Sequence, residues 1–390
     1  MTPRIRPALC FAVLLPIALT LPSCRTHDFP QYPASFREYA YVTNGSSGTV
    51  TVLDAVNLRL DREFTVGPNP TAVAASPTRN EVYVISSGPA GGNGSLAVID
   101  AERNAVSTTI PLHHQPVSID VAPDGALAYV ANSGSDSISV IDLKARREVA
   151  QIETGREPVA ARLSPDGNTL VVANHGAGSV TLIDPVSRRV RAVFEGCPGA
   201  AGAVILPDST RAFIPCSSGH QVMALFLSHL ASPRAAATGT DSLLTLMDVG
   251  QGPVQLALKP DGGELFVSNS ASDTISEIVT STADVGGAYP IGEFPIAGLV
   301  SRDNSLLYVA NEHSQYVTIY SIDDGKRLKS VRVGDGPSAL AFSTAGNLLF
   351  VVDSHSGDVA VVRTALRSLF TLLPAGRNPN AIAVKSFTVK

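Results

Sequence analysis

The sequence contains no tryptophan and only three methionines, nine tyrosines and thirteen phenylalanines in 390 residues. Because proteins usually hold sugar rings on aromatic side chains, this scarcity argues against a carbohydrate-binding role. Charged residues are also few, at 16%, and the net charge is -5 with no cluster of basic residues. This balance argues against a nucleic-acid-binding protein.

Motifs of the common catalytic chemistries are also missing. The sequence has no Gly-x-Ser-x-Gly, no His-Glu-x-x-His, no P-loop and no Cys-x-x-Cys. The glycine-rich stretch Gly88–Gly94 falls in a predicted hairpin loop with no helix after it, so it does not predict a phosphate-binding loop. The sequence therefore indicates no particular reaction.

A short segment, Ala40-Tyr41-Val42-Thr43-Asn44, recurs seven more times in altered form. The other copies begin at Val82, Ala128, Leu170, Arg211, Leu265, Leu307 and Leu348. A spacing of roughly 40 to 50 residues between strand-like segments is typical of propeller blades. The chain is therefore predicted to be a repeat protein.

Each repeat contains four short segments rich in Val, Ile, Ala and Thr, here named strands A to D. In the third repeat they are Val117–Val121, Ala128–Asn132, Ser137–Asp142 and Glu148–Ile152. Turn sequences such as Pro123-Asp124-Gly125 separate them. Four such strands predict one antiparallel blade, and blades must bury their faces on one another. The predicted fold class is all-β.

The repeat resembles that of the YVTN-family β-propellers at Tyr41-Val42-Thr43-Asn44, Tyr129-Val130-Ala131-Asn132 and Leu163-Ser164-Pro165-Asp166-Gly167. Nearly the whole mature chain is covered. Propeller lactonases and the d1-haem propeller of cytochrome cd1 nitrite reductase share this repeat pattern, so the resemblance implies the fold and leaves the activity open. Three repeats depart from the pattern, with a long loop at 86–95, an insertion around 228–242 and a poorly defined fourth strand between 284 and 294.

Strand A is found eight times, and so is strand B. The copies of strand A begin near Thr71, Val117, Val159, Ala200, Val254, Ile296, Ser338 and Asn380. This count predicts a closed β-propeller of eight four-stranded antiparallel blades, with seven as the alternative. The chain enters at a strand B and ends with a strand A, so we expect its last strand to complete the first blade and remove two open sheet edges.

The first residues resemble a bacterial lipoprotein signal. An apolar run, Ala8–Leu21, is too short to span a bilayer, and Leu21-Pro22-Ser23-Cys24 resembles a lipobox. We expect a signal peptide over 1–23, lipidation of Cys24, a polar tether over 24–35 and the β-propeller over 36–390. Because Pro22 is unusual in a lipobox, ordinary cleavage without a lipid is the alternative. The expected location is the bacterial cell envelope, in the periplasm or at the outer membrane, with the lipid as the membrane contact.

Only four cysteines are present. Cys10 lies in the signal and Cys24 at the lipidation site, so Cys197 and Cys216 remain as a pair in an oxidising compartment. They fall just before strand A and at the end of strand B of one blade, which places both at the same end of a sheet. A disulfide is expected, with a metal site that adds His220, or two free thiols, as the alternatives.

The strand order sorts the connections onto two faces. D-to-A and B-to-C loops share one face, here called the loop face, while A-to-B and C-to-D turns share the opposite, turn face. Several aspartates end strands on the turn face, and we expect them in Asx-type turns rather than calcium loops. They are Asp54, Asp100, Asp142 and Asp184.

The loop face collects the polar side chains that are candidates for binding a ligand. These candidates are His113, His114, Arg156, His175, Gln251, His313 and Arg377. Imidazoles gathered at a channel mouth bind metals, ligate haem-type cofactors or titrate near neutral pH. The alternative interpretation is that they are unrelated, solvated loop residues.

An asparagine ends strand B in five repeats. These residues are Asn44, Asn132, Asn174, Asn269 and Asn311. Because a residue required by most blades serves the fold, we expect each to bond the backbone at its own junction between strand and loop.

Two classes of function remain. The first is a lipid-anchored binding or scaffolding propeller that presents its loop face to an envelope protein or a small polar ligand, as a monomer and with no cofactor. The second, implied by the family resemblance, is a lactonase-like hydrolase or a haem- or metal-binding propeller that uses His and Arg at the channel mouth. The missing catalytic motifs and the polar, variable loops favour the first.

Replacing Cys24 by Ala should release the protein from membranes, because the acyl chains on Cys24 would be its anchor. Cell fractionation followed by immunoblotting measures this, with Ser23→Ala as a control that keeps the cysteine. The lipoprotein prediction fails if the Cys24→Ala protein sediments with membranes as the parent does.

Overall fold

The structure is a computed structural model that describes residues 30–230, 237–238 and 240–389. Its compact unit is Tyr32–Lys390. The predicted signal peptide, Cys24 and most of the predicted tether lie outside the described residues. Among the residues described, no helix has the length and apolar character needed to cross a membrane.

The described residues form 34 strands, β1 to β34. The first three are β1 (Phe36–Asn44), β2 (Thr49–Asp54) and β3 (Arg59–Thr65). Blade 2 contains β4 (Pro70–Ala75), β5 (Glu81–Ser86), β6 (Asn93–Asp100) and β7 (Ala105–His114). Blade 3 contains β8 (Pro116–Val121), β9 (Leu127–Asn132), β10 (Ser137–Asp142) and β11 (Arg147–Glu153), with a 3-10 turn at Ser133–Ser135. Blade 4 contains β12 (Pro158–Leu163), β13 (Leu170–Asn174), β14 (Ser179–Asp184) and β15 (Arg189–Glu195).

Blade 5 contains β16 (Val204–Ile205), β17 (Arg211–Cys216), β18 (Gln221–Phe226) and β21 (Ser242–Asp248), and a separate pair is β19 (His229–Leu230) and β20 (Ala237–Thr238). Blade 6 contains β22 (Pro253–Leu258), β23 (Glu264–Asn269), β24 (Thr274–Val279) and β25 (Asp284–Pro290). Blade 7 contains β26 (Pro295–Val300), β27 (Leu306–Asn311), β28 (Tyr316–Ser321) and β29 (Lys326–Arg332). Blade 8 contains β30 (Pro337–Phe342), β31 (Leu348–Asp353), β32 (Asp358–Arg363) and β33 (Ser368–Pro374), and β34 (Pro379–Thr388) ends the chain.

The last strand closes the ring. β34 pairs antiparallel with β1 from Phe36↔Thr388 to Asn44↔Pro379, so that blade 1 has the strand order β3-β2-β1-β34. The result is a ring of eight four-stranded antiparallel blades, which confirms the predicted fold and excludes the alternative of seven.

The hydrophobic core lies between neighbouring blades. Between blades 2 and 3, for example, Tyr83 and Leu96 of one sheet pack with Ile119 and Val130 of the next. Burying each such side chain contributes roughly 1.5 to 3 kcal/mol, and no single sheet could supply this burial alone. Strand A of each blade is innermost, and around most of the ring it contacts the innermost strands of its neighbours. Between blades 5 and 6 the contact runs from β17 to β22.

Each outer strand contains a bulge at the same place, and β7 has a second register shift near Asn93. In β33 the bulged residue is Phe370, since Val361 pairs with Thr371 and Val362 with Leu369. The other seven outer strands shift register in the same way. Bulges interrupt the row of free backbone groups on an edge strand, so they hinder pairing of the eight exposed edges with other chains.

The turn face has the predicted chemistry. Each of the four aspartates accepts hydrogen bonds from backbone N–H groups two and three residues later, at 2.8–3.3 Å. These are Asx turns, as expected. At Asp142 the bonds from Ala145 and then Lys144 lower the pKa of the carboxyl group.

Blades 5 and 6 differ from the sequence prediction. The fourth strand of blade 6 is regular, β25, where the sequence showed only a weak pattern. The first strand of blade 5 was expected near Ala200, but Ala200 makes only an isolated bridge to Cys216, and β16 is two residues long. The segment Gly199–Gly202 has few residues that favour strands, which explains the shortening. A disulfide joins Cys197 to Cys216 beside it, with an S–S distance of 2.05 Å.

Deleting every residue after Gly376 should prevent cooperative folding, because it removes β34 and exposes the buried backbone and side chains of β1. Scanning calorimetry and light scattering should show loss of the unfolding transition or aggregation. Deleting only residues 389–390 keeps β34 and is the matched control. An unchanged melting temperature in the longer truncation would disprove the role of closure.

Candidate functional site

The loop face is built on a backbone feature that all eight blades repeat. The residue immediately before each innermost strand has a positive φ. In blade 5 this residue immediately precedes the isolated bridge of Ala200. These residues are Asn69, Gln115, Glu157, Gly199, Gly252, Phe294, Gly336 and Asn378, with φ between 48° and 69°. The carbonyl group of each accepts a hydrogen bond from the first residue of the neighbouring loop, as in Ser133 N–H to Gln115 O at 2.9 Å and His175 N–H to Glu157 O at 2.9 Å.

Five of the eight residues are not glycine, although a left-handed backbone costs an ordinary residue roughly 1–2 kcal/mol. Such strain persists only where the surrounding structure enforces it, and it is concentrated at functional sites. Here the loop-to-loop hydrogen bonds and the proline that follows in seven blades hold the backbone in place. The side chains at these positions therefore stand on a rigid ring.

The repeated asparagines have a structural role, as expected, but the kind of partner that all five share differs from the one predicted. All five are buried, and each amide group donates to a hydroxyl group on the third strand of the blade. Backbone bonds of the predicted kind occur at two of them, since Asn311 also donates to the Tyr316 carbonyl at 3.2 Å and Asn44 Oδ1 accepts from the Gly376 N–H at 3.1 Å. The bonds to hydroxyl groups are Asn44 to Thr51 (2.9 Å), Asn132 to Ser139 (2.9 Å), Asn174 to Thr181 (2.8 Å), Asn269 to Ser276 (3.0 Å) and Asn311 to Thr318 (2.9 Å). Their repetition serves the blades, and ligand recognition is left to residues that differ between blades.

His113 and His114 lie inside β7, although the sequence placed them in a loop. β7 is ten residues long because its end pairs with Asn93. His113 Nε2 is 3.2 Å from both carboxylate oxygens of Glu148 on the outer strand of blade 3. His113 therefore sits at the rim between two blades and away from the channel mouth.

Blades 3 and 4 bring several predicted residues together. A depression of about 400 Å³ is lined by Gln115, Ser133, Gly134, Asp136, Arg156, Glu157 and Val159. We call it the blade 3–4 depression. His114 flanks it beside Gly134, and His175 flanks it on the other side, with Nδ1 3.9 Å from Glu157 Oε2.

Hydrogen bonds to the backbone of neighbouring loops fix the charged groups of the blade 3–4 depression. Arg156 Nη2 donates to the Gly176 carbonyl at 3.0 Å, which leaves other guanidinium N–H groups for a ligand. Asp136 accepts from the Glu157 backbone N–H at 2.8 Å, so its carboxylate fixes the loop. The Glu157 carboxylate is 63% exposed. A cation and an anion on adjacent residues thus face the same small volume.

Gln251, Arg377 and His313 lie elsewhere on the loop face. The backbone N–H of Gln251 donates to Ser272 Oγ at 3.0 Å and that of Arg377 to Ser47 Oγ at 2.7 Å, and both side chains are exposed. The His313 ring stacks on Phe294 with centroids 4.1 Å apart, beside a separate cavity of about 540 Å³ in blade 7. The seven predicted residues therefore do not converge on one point.

The predicted histidines are poorly placed to hold a metal or a haem-type cofactor. Three of the imidazoles already contact protein groups. His113 lies against Glu148, His313 stacks on Phe294, and His114 Nδ1 lies 3.1 Å from the Gly92 carbonyl. His220 Nδ1 accepts from the Gly252 N–H at 3.4 Å, and its predicted cysteine partners form the disulfide. Within the described ranges there is no group of three or more His, Cys, Asp or Glu side chains that could hold a metal ion.

Blade 8 carries a feature that the prediction missed. Asp353 takes the place of the repeated asparagine, and it pairs across the sheet with Asp358. Asp353 is fully buried and its Oδ2 accepts from the Gly334 N–H at 3.0 Å. Burial, followed by the neighbouring Asp358 carboxyl, raises the pKa of Asp353 to about 8. The signal in the sequence is an aspartate at the position where the other repeats have asparagine.

Comparison with solved structures agrees with this architecture. The similar chains include apo AztD from Citrobacter koseri (15% identity, 91% of this chain and 100% of that chain, TM-score 0.66) and Kuenenia stuttgartiensis hydrazine synthase (21%, 77% and 97%, 0.56). A third is the dihydro-haem d1 dehydrogenase NirN in complex with DHE (14%, 91% and 76%, 0.69). The chain is an eight-bladed β-propeller. No protein-family model matches the propeller, and a search of curated proteins finds no match. At these identities the likeness shows the fold alone.

The stability of the propeller should fall as the pH rises from about 4 to about 8. In this range the folded protein keeps a proton on Asp353 that the unfolded chain, with a carboxyl pKa near 3.8, has released. One proton gives a slope of at most about 1.4 kcal/mol per pH unit. Urea unfolding at several pH values measures it.

Asp353→Asn should remove this slope and raise the melting temperature at pH 8, because an amide in that position can donate to Asp358. Asp284→Asn, on an exposed strand end, is the control and should leave the slope intact. A pH profile that is the same in the parent and in Asp353→Asn would contradict the assignment.

Proposed function

We propose that this propeller is a binding module of the bacterial cell envelope, and that the blade 3–4 depression binds a small zwitterionic ligand such as an amino acid or a short peptide. The observation that carries the proposal is the placement of Arg156 and Glu157. Their opposite charges open on one depression, on backbone that is held in a strained conformation. Ligand sites of this kind combine a small concave volume with a few fixed polar groups.

Each lining group has a role in this proposal. The free N–H groups of Arg156 suit a carboxylate, since guanidinium and carboxylate form charge-assisted, paired hydrogen bonds. The Glu157 carboxylate suits an ammonium group, and the Gln115 amide both donates and accepts. His175 Nδ1 lies 3.9 Å from Glu157 Oε2 and borders the space that the ammonium group would occupy.

The envelope location rests on the resemblance of Leu21-Pro22-Ser23-Cys24 to a lipobox. The acyl chains would hold the protein at the membrane, and the predicted tether over residues 24–35 would give the ring room to reach soluble ligands. NirN, a protein of similar fold, is named in complex with DHE, which supports a ligand-binding role. An envelope protein as the partner of the loop face is the second form of the same proposal.

Isothermal titration calorimetry with free amino acids and dipeptides tests the site. Arg156→Gln and Glu157→Gln should each weaken binding by about 10-fold or more, because a hydrogen bond to a charged group contributes about 1.5–3 kcal/mol. Arg377→Gln is the matched control, since Arg377 occupies the equivalent position in blade 1. The proposal fails if no member of the panel binds, or if Arg377→Gln weakens binding as much as Arg156→Gln.

A further inference from the structure

The outer strand of blade 8 is unusually apolar. β33 contains no charged residue, and Leu369, Phe370 and Leu372 are 36%, 45% and 46% exposed. Leu366, in the turn before it, is 48% exposed. Contiguous exposed apolar side chains on a folded protein mark surfaces that contact another body.

The neighbouring outer strand is basic. β29 has the sequence Lys-Arg-Leu-Lys-Ser-Val-Arg, with all four cations exposed and no acid. Lys326 pairs with Asp324 at 3.5 Å, and Arg332 donates to Gln315 at 2.9 Å. Arg327 and Lys329 have no ion-pair partner among the described residues. In a chain of net charge -5 this strand is a local exception.

The two strands form one surface, since β29 and β33 contact each other at the rim. The Arg363 guanidinium adds a cation 5.2 Å from the centre of the Phe370 ring. β3, on the far side of β33, carries charges of both signs. Among the outer strands described, only β29 combines several cations with no acid, and it lies beside the apolar β33.

We propose that the rim of blades 7 and 8 lies against an anionic lipid bilayer, with β29 on the headgroups and the leucines of β33 at the boundary with the acyl chains. Surfaces that pair basic residues with a shallow apolar patch bind anionic membranes in this way. Phosphate groups would neutralise Arg327 and Lys329, which the protein itself leaves without counter-ions.

A second copy of the chain fits this surface less well. A two-fold contact that lays the whole surface of β29 and β33 on its own copy would bring two basic β29 strands together, and like charges oppose such a contact. The bulge at Phe370 also interrupts the backbone groups that strand pairing would use. Binding to a bilayer brings no second β29 strand close and requires no pairing of strands.

The position of the N-terminal entry agrees with the membrane orientation, and this step rests on the proposed lipid anchor. The described propeller begins at β1 on the turn face, where Glu38 accepts a hydrogen bond from the Thr344 N–H in a turn of blade 8. Leu366 lies in another turn of the same blade, on the same face. A tether fixed in the membrane would thus enter next to the surface proposed to touch it.

Vesicle sedimentation tests the surface without the anchor. The protein is produced from Arg25 onward, which keeps every described strand and removes Cys24. We expect it to bind vesicles of phosphatidylethanolamine with phosphatidylglycerol and not vesicles of phosphatidylcholine alone. Arg327→Gln with Lys329→Gln should weaken binding about 25-fold, at about 5-fold for each cation. Leu366→Gln with Leu372→Gln should weaken it similarly.

Matched controls come from blade 5, whose outer strand exposes Leu243 by 43% and Leu246 by 36%. Its neighbouring outer strands both carry acids, Glu195 on β15 beside two arginines and Asp284 on β25. Leu243→Gln with Leu246→Gln should leave vesicle binding unchanged, and melting temperatures verify that each variant folds. Absence of binding to the anionic vesicles, or equal loss in the blade 5 variant, overturns the proposal. Concentration-dependent dimers that the blade 8 substitutions abolish would also overturn it and assign the surface to a second copy. Because Cys24 is absent, these outcomes are independent of whether the protein is a lipoprotein.

Discussion

The pairing of the last strand with the first is the interaction on which the rest of the structure depends. Every blade buries its faces against two neighbours, so no blade is stable until the ring is complete. Residues 36 and 388, at opposite ends of the propeller sequence, meet directly in the sheet. Stability is thus cooperative around the circle, and the constraint also fixes the number of blades and the direction of every loop.

The repeat contains two kinds of position. At some, the same residue recurs because each blade needs it, and at others the side chain differs from blade to blade. The buried asparagines, the Asx turns and the bulges recur because each blade needs them. At the left-handed positions of the loop face the backbone is repeated while the side chain changes, from Gly to Asn, Gln, Glu or Phe. The same frame therefore presents different chemistry at each blade, and at blades 3 and 4 it brings Arg156 and Glu157 to one depression.

The sequence was sufficient to predict the fold because its signal is repeated. Eight copies of Tyr-Val-x-Asn-like strands, with turns between them, are typical of a β-propeller. Because the chain starts at a strand B and ends at a strand A, the sequence also predicts that the last strand completes the first blade. The site was harder, because non-repeated residues carry no internal evidence of where their side chains point. His113 was read as a loop residue since nothing in the sequence shows that β7 continues by pairing with Asn93. Glu157 was overlooked because its importance comes from the strained backbone and the neighbouring Asp136, which only the folded loops bring together.

The short innermost strand of blade 5 is the most weakly paired innermost strand of the ring. Elsewhere the innermost strand is held to its neighbour by a run of backbone hydrogen bonds, but β16 contributes two residues and the Cys197–Cys216 bond takes over part of that task. A covalent link of this kind tolerates local opening that a ladder of hydrogen bonds would not. Amide protons of residues 199–203 should accordingly exchange with solvent before those of any other innermost strand. The redox state of the surroundings then sets how firmly the innermost segment of blade 5 is held to β17, while the pairing of β34 with β1 keeps the ring closed.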